Sequence, residues 1–416
     1  LATWLDSLSE GHRPSFDECT SYLAAYFPLL LEFEHTPQDR QWHAEGNVAI
    51  HTEIVLQQTY RLFDSKAHHL IGTQQRILIL SALLHDIAKP ITTREKEING
   101  ELRTVAPKHE EIGAAYLAPR LIRLPLNHSD ILTIIGLVGW HQQPKLLVVR
   151  DKDYADYFAL SRNADLELLY WLELSDMRGR TCADLSQQID LLEQYKLFSQ
   201  DYGLWSQTIN CQRHLGELQI KNDKRQQCYL DNVATHQLAH NEIKTAPQAI
   251  AKNYQAGDNY SELYITCGVS GSGKSTWIVN NLRDFTVISL DDIREQLNGR
   301  SDSQKHRGQV LQLAKQQLKT ALANKINVVW DATNIRYDFR KIICDFGFSY
   351  GALVTMVVFQ VEEKTLRRNN INRKRNVDDQ VIDSQLDKLQ WPWPTEAHRT
   401  LYIGEKGVEL NHFGKF

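Results

Sequence analysis

The chain has 416 residues, of which 42% are hydrophobic and 24% charged, a composition typical of a globular protein with two or three domains. Its formal net charge of −4 excludes a general attraction to nucleic acid, so a polyanion would have to bind through a local basic patch. The apolar run at residues 77–84 is far too short to cross a membrane, and no signal peptide is recognisable. We therefore expect a cytoplasmic protein without a membrane partner.

Residues 1–205 have apolar side chains at the spacing of one helix face. This spacing occurs in the segments 48–62, 77–84, 131–138 and 169–192, and no segment alternates as a half-buried strand does. The pattern predicts an all-α domain. Residues 206–259 are rich in Gln, Asn, Lys and His, and we expect a helical connector there.

After Ser261 short apolar runs alternate with helical segments. The runs at 263–267, 286–290, 326–330 and 353–361 predict four strands. Alternating strands and helices are typical of parallel βαβ units. We therefore predict an α/β domain with a parallel sheet over residues 260–416, which makes the protein multi-domain, with an all-α part followed by an α/β part.

Histidine is concentrated in the first third of the chain, where ten of the 16 histidines precede residue 142. His85 and Asp86 follow an apolar helix, His51 lies on an earlier amphipathic helix, and Asp176 falls on the apolar stripe of a later one. A buried carboxylate needs a cationic partner, which for Asp176 is either a metal ion or Arg180 four residues later. Each residue alone is more often an ordinary core or surface residue, so only the ordered set carries information.

The order of these residues resembles the HD phosphohydrolase superfamily, which has a helical fold. The resemblance implies a site for a divalent metal, and its mixed ligands suit Mn²⁺, Fe²⁺, Co²⁺, Ni²⁺ or Zn²⁺ better than Mg²⁺. The four ligands that it implies are His51, His85, Asp86 and Asp176. By the same resemblance, His109 and His141 would bind a second metal or the phosphate. Lys89 and Arg180 would neutralise a phosphoryl oxygen during attack at phosphorus.

A phosphate-binding loop follows the first predicted strand of the second half. Residues 268–276 read Gly-Val-Ser-Gly-Ser-Gly-Lys-Ser-Thr and open a helix, which is the context that this motif requires. Backbone N–H groups and the helix N-terminus would bind the phosphates of ATP or another nucleoside triphosphate, with Mg²⁺ or Mn²⁺ on Ser275. The expected nucleotide-binding residues are Gly268, Gly271, Ser272, Gly273, Lys274, Ser275 and Thr276. The alternative, a flexible Gly/Ser loop, has little support in this context.

Two later strands are each followed by a carboxylate. Ligands of open α/β sheets bind at the carboxyl ends of strands, so Asp291 is placed to take a proton from an attacking hydroxyl. Arg294, one helical turn later, would hold a substrate phosphate. The alternative for Asp291 is a helix cap that forms an ion pair with Arg294. Asp331, after the third strand, is expected to bind Mg²⁺ or a water in its shell.

A basic segment lies towards the end of the chain. Residues 364–375 contain six Lys or Arg side chains, which predicts a helical lid over about 362–376 that closes on the transferring phosphates. We name Arg373 and Arg375 as the catalytic lid arginines, with Arg373 also on the nucleotide. The alternative is a solvated charged helix face.

The phosphate loop, the Asp-Asp-x-Arg sequence at 291–294, the Asp-x-Thr-Asn sequence at 331–334 and the Arg/Asn-rich lid together resemble polynucleotide 5′-kinases. The resemblance covers about residues 261–395. It implies transfer of the ATP γ-phosphate to a 5′-OH end of RNA or DNA. It also implies that Asp291 is the general base, that Arg294 binds the acceptor's phosphate, and that a lid arginine binds the ATP phosphates.

An HD domain fused in front of a polynucleotide kinase resembles the HD-Pnk family of RNA end-repair enzymes. This implies that the N-terminal half removes a terminal 2′-phosphate or opens a 2′,3′-cyclic phosphate, while the C-terminal half phosphorylates 5′-OH ends. A separate RNA ligase would then seal the ends. Two alternatives remain open: an HD nucleotidase or alarmone hydrolase fused to a small-molecule kinase, and an HD half that only binds ends.

Overall fold

The computed structural model describes residues 1–206, 223–253, 259–299, 306–372 and 376–416. The chain divides into two compact units, Leu1–Ile209 and Asn210–Phe416. Parts of the expected connector, residues 207–222 and 254–258, lie outside the described residues. Among the described helices, none has both the length and the apolar composition that spanning a bilayer requires.

The first unit is helical, as predicted. Its α-helices are α1 (Ala2–Ser9), α2 (Phe16–Leu23), α3 (Val48–Phe63), α4 (Thr73–Leu84), α5 (Lys89–Thr92), α6 (His109–Leu121), α7 (His128–Trp140), α8 (Gln143–Val149), α9 (Tyr154–Ser161), α10 (Leu166–Gly179) and α11 (Leu185–Asp201). A 3₁₀ helix spans Pro28–His35. The side chains of Asn47 and Asp165 accept hydrogen bonds from backbone N–H groups in the first turns of α3 and α10, which fixes where these helices begin.

Helix α10 and the helices that pack around it form the centre of this unit. Helix α10 packs against α3, α4 and α7, and α6 packs against α7. Every residue of α4 from Arg76 onwards is buried, as is every residue of α10 except Arg178, including the polar Ser81 and Asp176. A helix that is buried on all sides lies at the centre of its fold. These helices therefore hold the polar residues that they carry in a rigid, water-poor environment.

One antiparallel hairpin interrupts the helices, and hydrophobic periodicity did not predict it. It consists of β1 (Arg94–Ile98) and β2 (Glu101–Val105), with Ile98 opposite Glu101. Both strands are largely exposed and rich in charged residues, so neither has an alternating apolar face. The sequence signal that could have identified the hairpin is the dipeptide Asn99-Gly100, which is typical of two-residue hairpin turns. Both residues adopt the positive φ that such a turn requires.

The second unit is an α/β domain. Its helices are α12 (Lys224–Ala239), α13 (Ala246–Asn253), α14 (Lys274–Asn281), α15 (Leu290–Asn298), α16 (Arg307–Ala323), α17 (Tyr337–Ser349), α18 (Glu363–Ile371) and α19 (Asp379–Asp387). Its strands are β3 (Glu262–Cys267), β4 (Thr286–Ser289), β5 (Val328–Asp331), β6 (Leu353–Phe359), β7 (Arg399–Ile403) and β8 (Glu409–Phe413). The four predicted strands are confirmed as β3 to β6.

The strands form one sheet in the order β4-β5-β3-β6-β7-β8. All neighbouring pairs are parallel except β7 and β8, which are antiparallel. The sequence analysis did not identify β7 and β8. Because β3, β4 and β5 are adjacent and parallel, the residues that follow them meet at one edge of the sheet. The order of the strands therefore brings the phosphate loop, Asp291 and Asp331 to the same edge.

Close packing of α7 gives a first prediction. A Cβ atom on Gly136 would lie 2.4 Å from the backbone oxygen of Asn163, in the segment between α9 and α10. Gly136→Ala should therefore lower the free energy of unfolding of the first unit by about 1–3 kcal/mol, measured by urea denaturation. The helical Gly308 of α16 has no atom within 4 Å of such a Cβ. Gly308→Ala should be neutral or stabilise the second unit by up to about 1 kcal/mol. Equal effects of the two substitutions would contradict the packing explanation.

Candidate functional sites

The structure brings six predicted site residues together in the core of the helical unit. They come from α3, from α6, from α10 and from the residues that directly follow α4 and α7. All six are buried: His51, His85, Asp86, His109, His141 and Asp176. Within each of two groups, His51 with His85 and Asp176, and Asp86 with His109 and His141, one possible ligand atom per residue lies within 4.8 Å of the others.

Three imidazoles are oriented by the backbone. The Nδ1 atoms of His85, His109 and His141 each lie 2.8 Å from the carbonyl oxygen of the residue three positions earlier. A carbonyl oxygen can only accept, so each Nδ1 carries the hydrogen. In the neutral rings the Nε2 atoms therefore carry lone pairs, and these face the cluster. Such outer hydrogen bonds are typical of histidine ligands of metals.

The lone pairs meet at short distances. His109 Nε2 lies 3.3 Å from His141 Nε2. Burial, together with the nearby imidazoles of His109 and His85, lowers the pKa of His141 to about 3, so this ring stays neutral. His85 Nε2 lies 3.2 Å from Asp86 Oδ2 and has no hydrogen-bond donor among the described residues. Buried acceptors that face one another repel unless a cation lies between them, so the donor set fits bound metal ions.

Asp86 contacts both groups. Its Oδ2 faces His85, and its Oδ1 lies 3.3 Å from His109 Nε2. Burial alone raises the pKa of Asp86, but the contact with His85 and the charge of Lys89 hold it well below its usual value. Lys89 Nζ lies 2.7 Å from Asp86 Oδ2 and 2.5 Å from Gln38 Oε1. Asp86 is thus an anion in contact with both groups of possible ligands.

Asp176 forms the other anionic part of the cluster. Its Oδ1 lies 3.0 Å from His51 Nε2, and Arg180 donates to both carboxylate oxygens. Burial alone raises the pKa of Asp176, but the charge of Arg180 and the contact with His51 hold it well below its usual value. The sequence analysis left a metal and Arg180 as alternative partners for this carboxylate. The structure places Arg180 on it, and the imidazoles of His51 and His85 lie 3.0 and 3.9 Å from its Oδ1.

The sequence analysis missed Glu45, which supports the cluster from the loop before α3. Its Oε1 lies 2.9 Å from His51 Nδ1 and 2.8 Å from His43 Nδ1, and its Oε2 accepts a hydrogen bond from Thr181 N. Burial alone lowers the pKa of His51, but the carboxylates of Asp176 and Glu45 raise it overall. The three residues His43, Glu45 and His51 also lie close enough to hold an ion. Because Glu45 uses the outer nitrogen of His51, we assign it as an orienting residue.

Glu173 is a second residue that the sequence analysis missed. It lies one helical turn before Asp176 on α10, is fully buried, and has Lys145 Nζ 2.7 Å from its Oε1. Burial raises the pKa of Glu173, and the charge of Lys145 opposes this effect. The sequence signal that could have identified Glu173 is its spacing, since it is an acidic residue three positions before the predicted ligand Asp176 on an apolar helix.

The phosphate loop of the second unit has the backbone geometry that its sequence requires. Gly271 and Gly273 have φ values of +85° and +92°. A Cβ on Gly271 would lie 2.3 Å from the backbone oxygen of Leu366, so glycine is required there. Lys274 Nζ donates to the carbonyl oxygens of Gly268 and Val269, at 2.8 and 3.0 Å. These contacts hold the ammonium group against the loop that is to bind phosphate.

The carboxylates at the edge of the sheet lie beside this loop. Ser275 Oγ donates to Asp331 Oδ2 at 3.3 Å, which pairs the two kinds of oxygen ligand that Mg²⁺ uses beside nucleotide phosphates. Burial raises the pKa of Asp331, and the negative charge of Asp291 adds to this while Lys274 opposes it. The two predicted carboxylates are therefore close enough to interact.

Asp291 is in the first turn of α15, and 53% of its side chain is exposed. Arg294 donates to Asp291 Oδ1, so the ion pair of the alternative interpretation is present. The cap is a different residue, because Ser289 Oγ accepts the hydrogen bond from Asp292 N. The Asp291 carboxylate is thus available at the open edge of the sheet.

Only part of the predicted lid can be placed. Arg373, Lys374 and Arg375 lie outside the described residues, so both predicted lid arginines remain unplaced. Arg367, in the same basic run, donates to Glu363 and Asp383 within the helical pair α18 and α19. These helices rest on the phosphate loop: Asn369 Nδ2 donates to Gly271 O at 3.0 Å, and Ser270 N donates to Gln385 Oε1 at 2.8 Å.

Comparisons with known proteins agree with this division of the chain. The sequence model of the HD domain family matches residues 48–161, and a family model described as an AAA domain matches residues 263–392. A multifunctional CCA protein of Shewanella frigidimarina (strain NCIMB 400) is 29% identical over 119 residues, which are 27% of this chain and 24% of that protein. The chain thus spans about a quarter of the length of this relative. It combines an HD phosphohydrolase domain with a P-loop kinase-like domain.

The role of Glu45 gives a second prediction. Removing an orienting partner of a metal-bound histidine typically lowers metal affinity about 10- to 100-fold. Glu45→Ala should show this loss for Mn²⁺ or Co²⁺ in isothermal titration calorimetry, and Glu45→Gln should lose less because its amide oxygen still accepts from His51. The matched control is Glu111→Ala on the exposed face of α6, which should bind as the wild type does. Unchanged affinity of Glu45→Ala would exclude the orienting role.

Proposed function

We propose that the protein heals RNA ends. In this proposal the HD domain, residues 1–205, removes a terminal 2′-phosphate or opens a 2′,3′-cyclic phosphate. The P-loop domain, residues 260–416, phosphorylates a 5′-OH with ATP, and residues 206–259 join the two. The observation that carries the proposal is the presence in one chain of two separate sites for phosphate chemistry. One has a buried set of metal ligands, and the other has a phosphate loop beside an accessible carboxylate.

In the helical unit, two neighbouring ions would be held by two groups of ligands. One group is His51, His85 and Asp176, and the other is Asp86, His109 and His141. A bound divalent cation supplies Lewis acidity and makes water a nucleophile at neutral pH. Mn²⁺, Co²⁺, Ni²⁺, Fe²⁺ and Zn²⁺ fit this mixture of imidazole and carboxylate better than Mg²⁺ does.

Two cationic side chains beside this cluster would act on the substrate. Lys89 and Arg180 pair with Asp86 and Asp176, respectively. When the carboxylates share their charge with metal ions, these cations can turn to the phosphoryl oxygens and stabilise the charge that develops during hydrolysis. Their burial strengthens this effect, because water screens the interaction less.

In the second unit, the loop amides and Lys274 would bind the ATP phosphates, and Ser275 and Asp331 would hold Mg²⁺. Asp291 would accept the proton of the 5′-OH as its oxygen attacks the γ-phosphorus. Arg294 orients Asp291 in the structure and would also contact the acceptor's phosphate. We assign Arg373 and Arg375 to the ATP phosphates on the strength of the basic lid segment.

The competing hypothesis is a pair of activities on free metabolites. Small-molecule sites usually enclose most of their ligand in a concave pocket. The half-exposed carboxylate of Asp291 supports a larger acceptor instead, since the end of a polymer has to reach the general base from solvent. A separate ligase would then use the healed ends.

Selective substitutions test this function. Lys274→Ala and Asp291→Asn should each reduce transfer of labelled phosphate from ATP to a 5′-OH RNA at least about 100-fold, because the lost contacts act on the transferring group. Both should leave release of the terminal phosphate unchanged. Asp86→Ala should do the reverse. Lys341→Ala, on the exposed side of α17, is the matched control and should retain both activities.

Two results would contradict the proposal. If one of these substitutions abolished both activities in a folded protein, the two sites could not be independent. If the wild-type protein left both RNA ends unchanged but turned over free nucleotides, the metabolite hypothesis would replace it.

A further inference from the structure

A tryptophan is held at the surface by the loop that supports the metal ligands. Trp42 belongs to the loop between the first 3₁₀ helix and α3, and 47% of it is exposed. A single exposed aromatic ring is common at a protein surface, so exposure alone does not indicate a function. The position and the neighbours of Trp42 are what indicate one.

The indole is fixed from one side by an arginine of the hairpin. Arg103, on β2, has its guanidinium carbon 4.5 Å from the centre of the Trp42 ring. Three hydrogen bonds hold the edge of the guanidinium: it donates to both oxygens of Asp39, at 2.6 and 2.5 Å, and to Gln41 Oε1 at 2.6 Å. At this distance from the ring centre the anchored guanidinium forms a cation–π contact with the indole. The result is an aromatic ring that is held in place and is still 47% exposed.

Both ends of the same loop contact the candidate metal centre. At one end Gln38 contacts Lys89, which pairs with Asp86. At the other end Glu45 contacts the metal ligand His51. Trp42 is three positions before Glu45, a chain length that spans at most about 11 Å. The ring of His43, the next residue, lies 4.7 Å from the ring of His51.

We propose that Trp42, backed by Arg103, stacks against the base of the terminal nucleotide whose phosphate is hydrolysed at the metal centre. This proposal rests on the RNA-end function proposed above and deepens it. A phosphate on the ribose of the terminal nucleotide is one sugar away from that nucleotide's base, so both can be bound at neighbouring places. Stacking on an aromatic ring is tolerant of sequence, because every base has a π-face, and it suits an enzyme that acts on any end.

The experiment compares two short RNAs that carry a 5′-fluorescein and a terminal 2′,3′-cyclic phosphate. In one RNA the terminal ribose bears uracil, and in the other it bears no base. The 5′ label removes the acceptor of the kinase site. Steady-state hydrolysis of both RNAs is measured with the wild type, Trp42→Ala, Trp42→Phe and Leu102→Ala. Leu102 is the matched control, because it is 66% exposed and precedes Arg103 on the same strand, where alternation places it on the opposite face.

Stacking of one base is worth a factor of roughly 5 to 150 in affinity. Trp42→Ala should therefore raise KM for the uracil-bearing RNA at least about fivefold with little change in kcat. Removing the base should cost the wild type a similar factor, and it should cost Trp42→Ala nothing more. Trp42→Phe should retain most of the affinity, Leu102→Ala should retain all of it, and Mn²⁺ affinity should stay the same in every variant.

A loss in Trp42→Ala that is equally large for both RNAs would overturn the proposal, since the ring would then serve only to hold the loop. If the wild type hydrolyses neither RNA, the proposed function fails. In that case, fluorescence anisotropy with the same RNAs measures binding and tests the stacking proposal separately. Binding that needs both the terminal base and Trp42 supports it, and equal binding by the wild type and Trp42→Ala overturns it.

Discussion

Two carboxylates lie buried among four imidazoles at the centre of the helical unit, and the arrangement of that unit depends on neutralising them. Burying an unpaired ion costs several kcal/mol, so Asp86 and Asp176 require cations near them. Lys89 and Arg180 supply two positive charges. They leave the Nε2 lone pairs of the histidines facing one another, which neither Lys nor Arg resolves. Bound divalent cations would satisfy these nitrogen and oxygen donors.

The second unit has the opposite charge at its candidate site, where positive groups are gathered. Its phosphate loop gathers backbone N–H groups and Lys274, all of which carry positive charge or partial charge, at the start of α14. The neighbouring loop after β5 is fixed by the buried Arg340, which donates to both oxygens of Glu396 and to the carbonyl oxygen of Asn334. One unit therefore presents a site for cations and the other a site for phosphate. The function proposed above would use both sites for phosphate chemistry at RNA ends.

The parts of this arrangement that local sequence determines could be predicted. The strands β3 to β6 are short apolar runs beside recognisable helices, and the phosphate loop has fixed spacing, so both were identified. The six clustered residues were identified through their order along the chain. Glu45 and Glu173 were missed because their roles depend on contacts with residues that are close only in the folded protein. Trp42 was missed for the same reason. Its proposed role depends on a contact with Arg103, which lies on a hairpin without an apolar face. The chain end was missed too, because β7 begins with Arg399, whose burial depends on its ion pair with Glu262 from β3.

The most direct test of this interpretation is the metal content of the intact protein together with its dependence on a chelator. Metal analysis of the protein purified after incubation with Mn²⁺ should find two ions per chain, one for each ligand group that we assign. Removing them should lower the melting temperature of the helical unit, because ligand binding to the folded state stabilises it. Asp86→Ala should bind fewer ions than the wild type. A wild-type protein that binds no divalent ion, and whose melting temperature does not respond to the chelator, would contradict the assignment of this cluster as a metal centre.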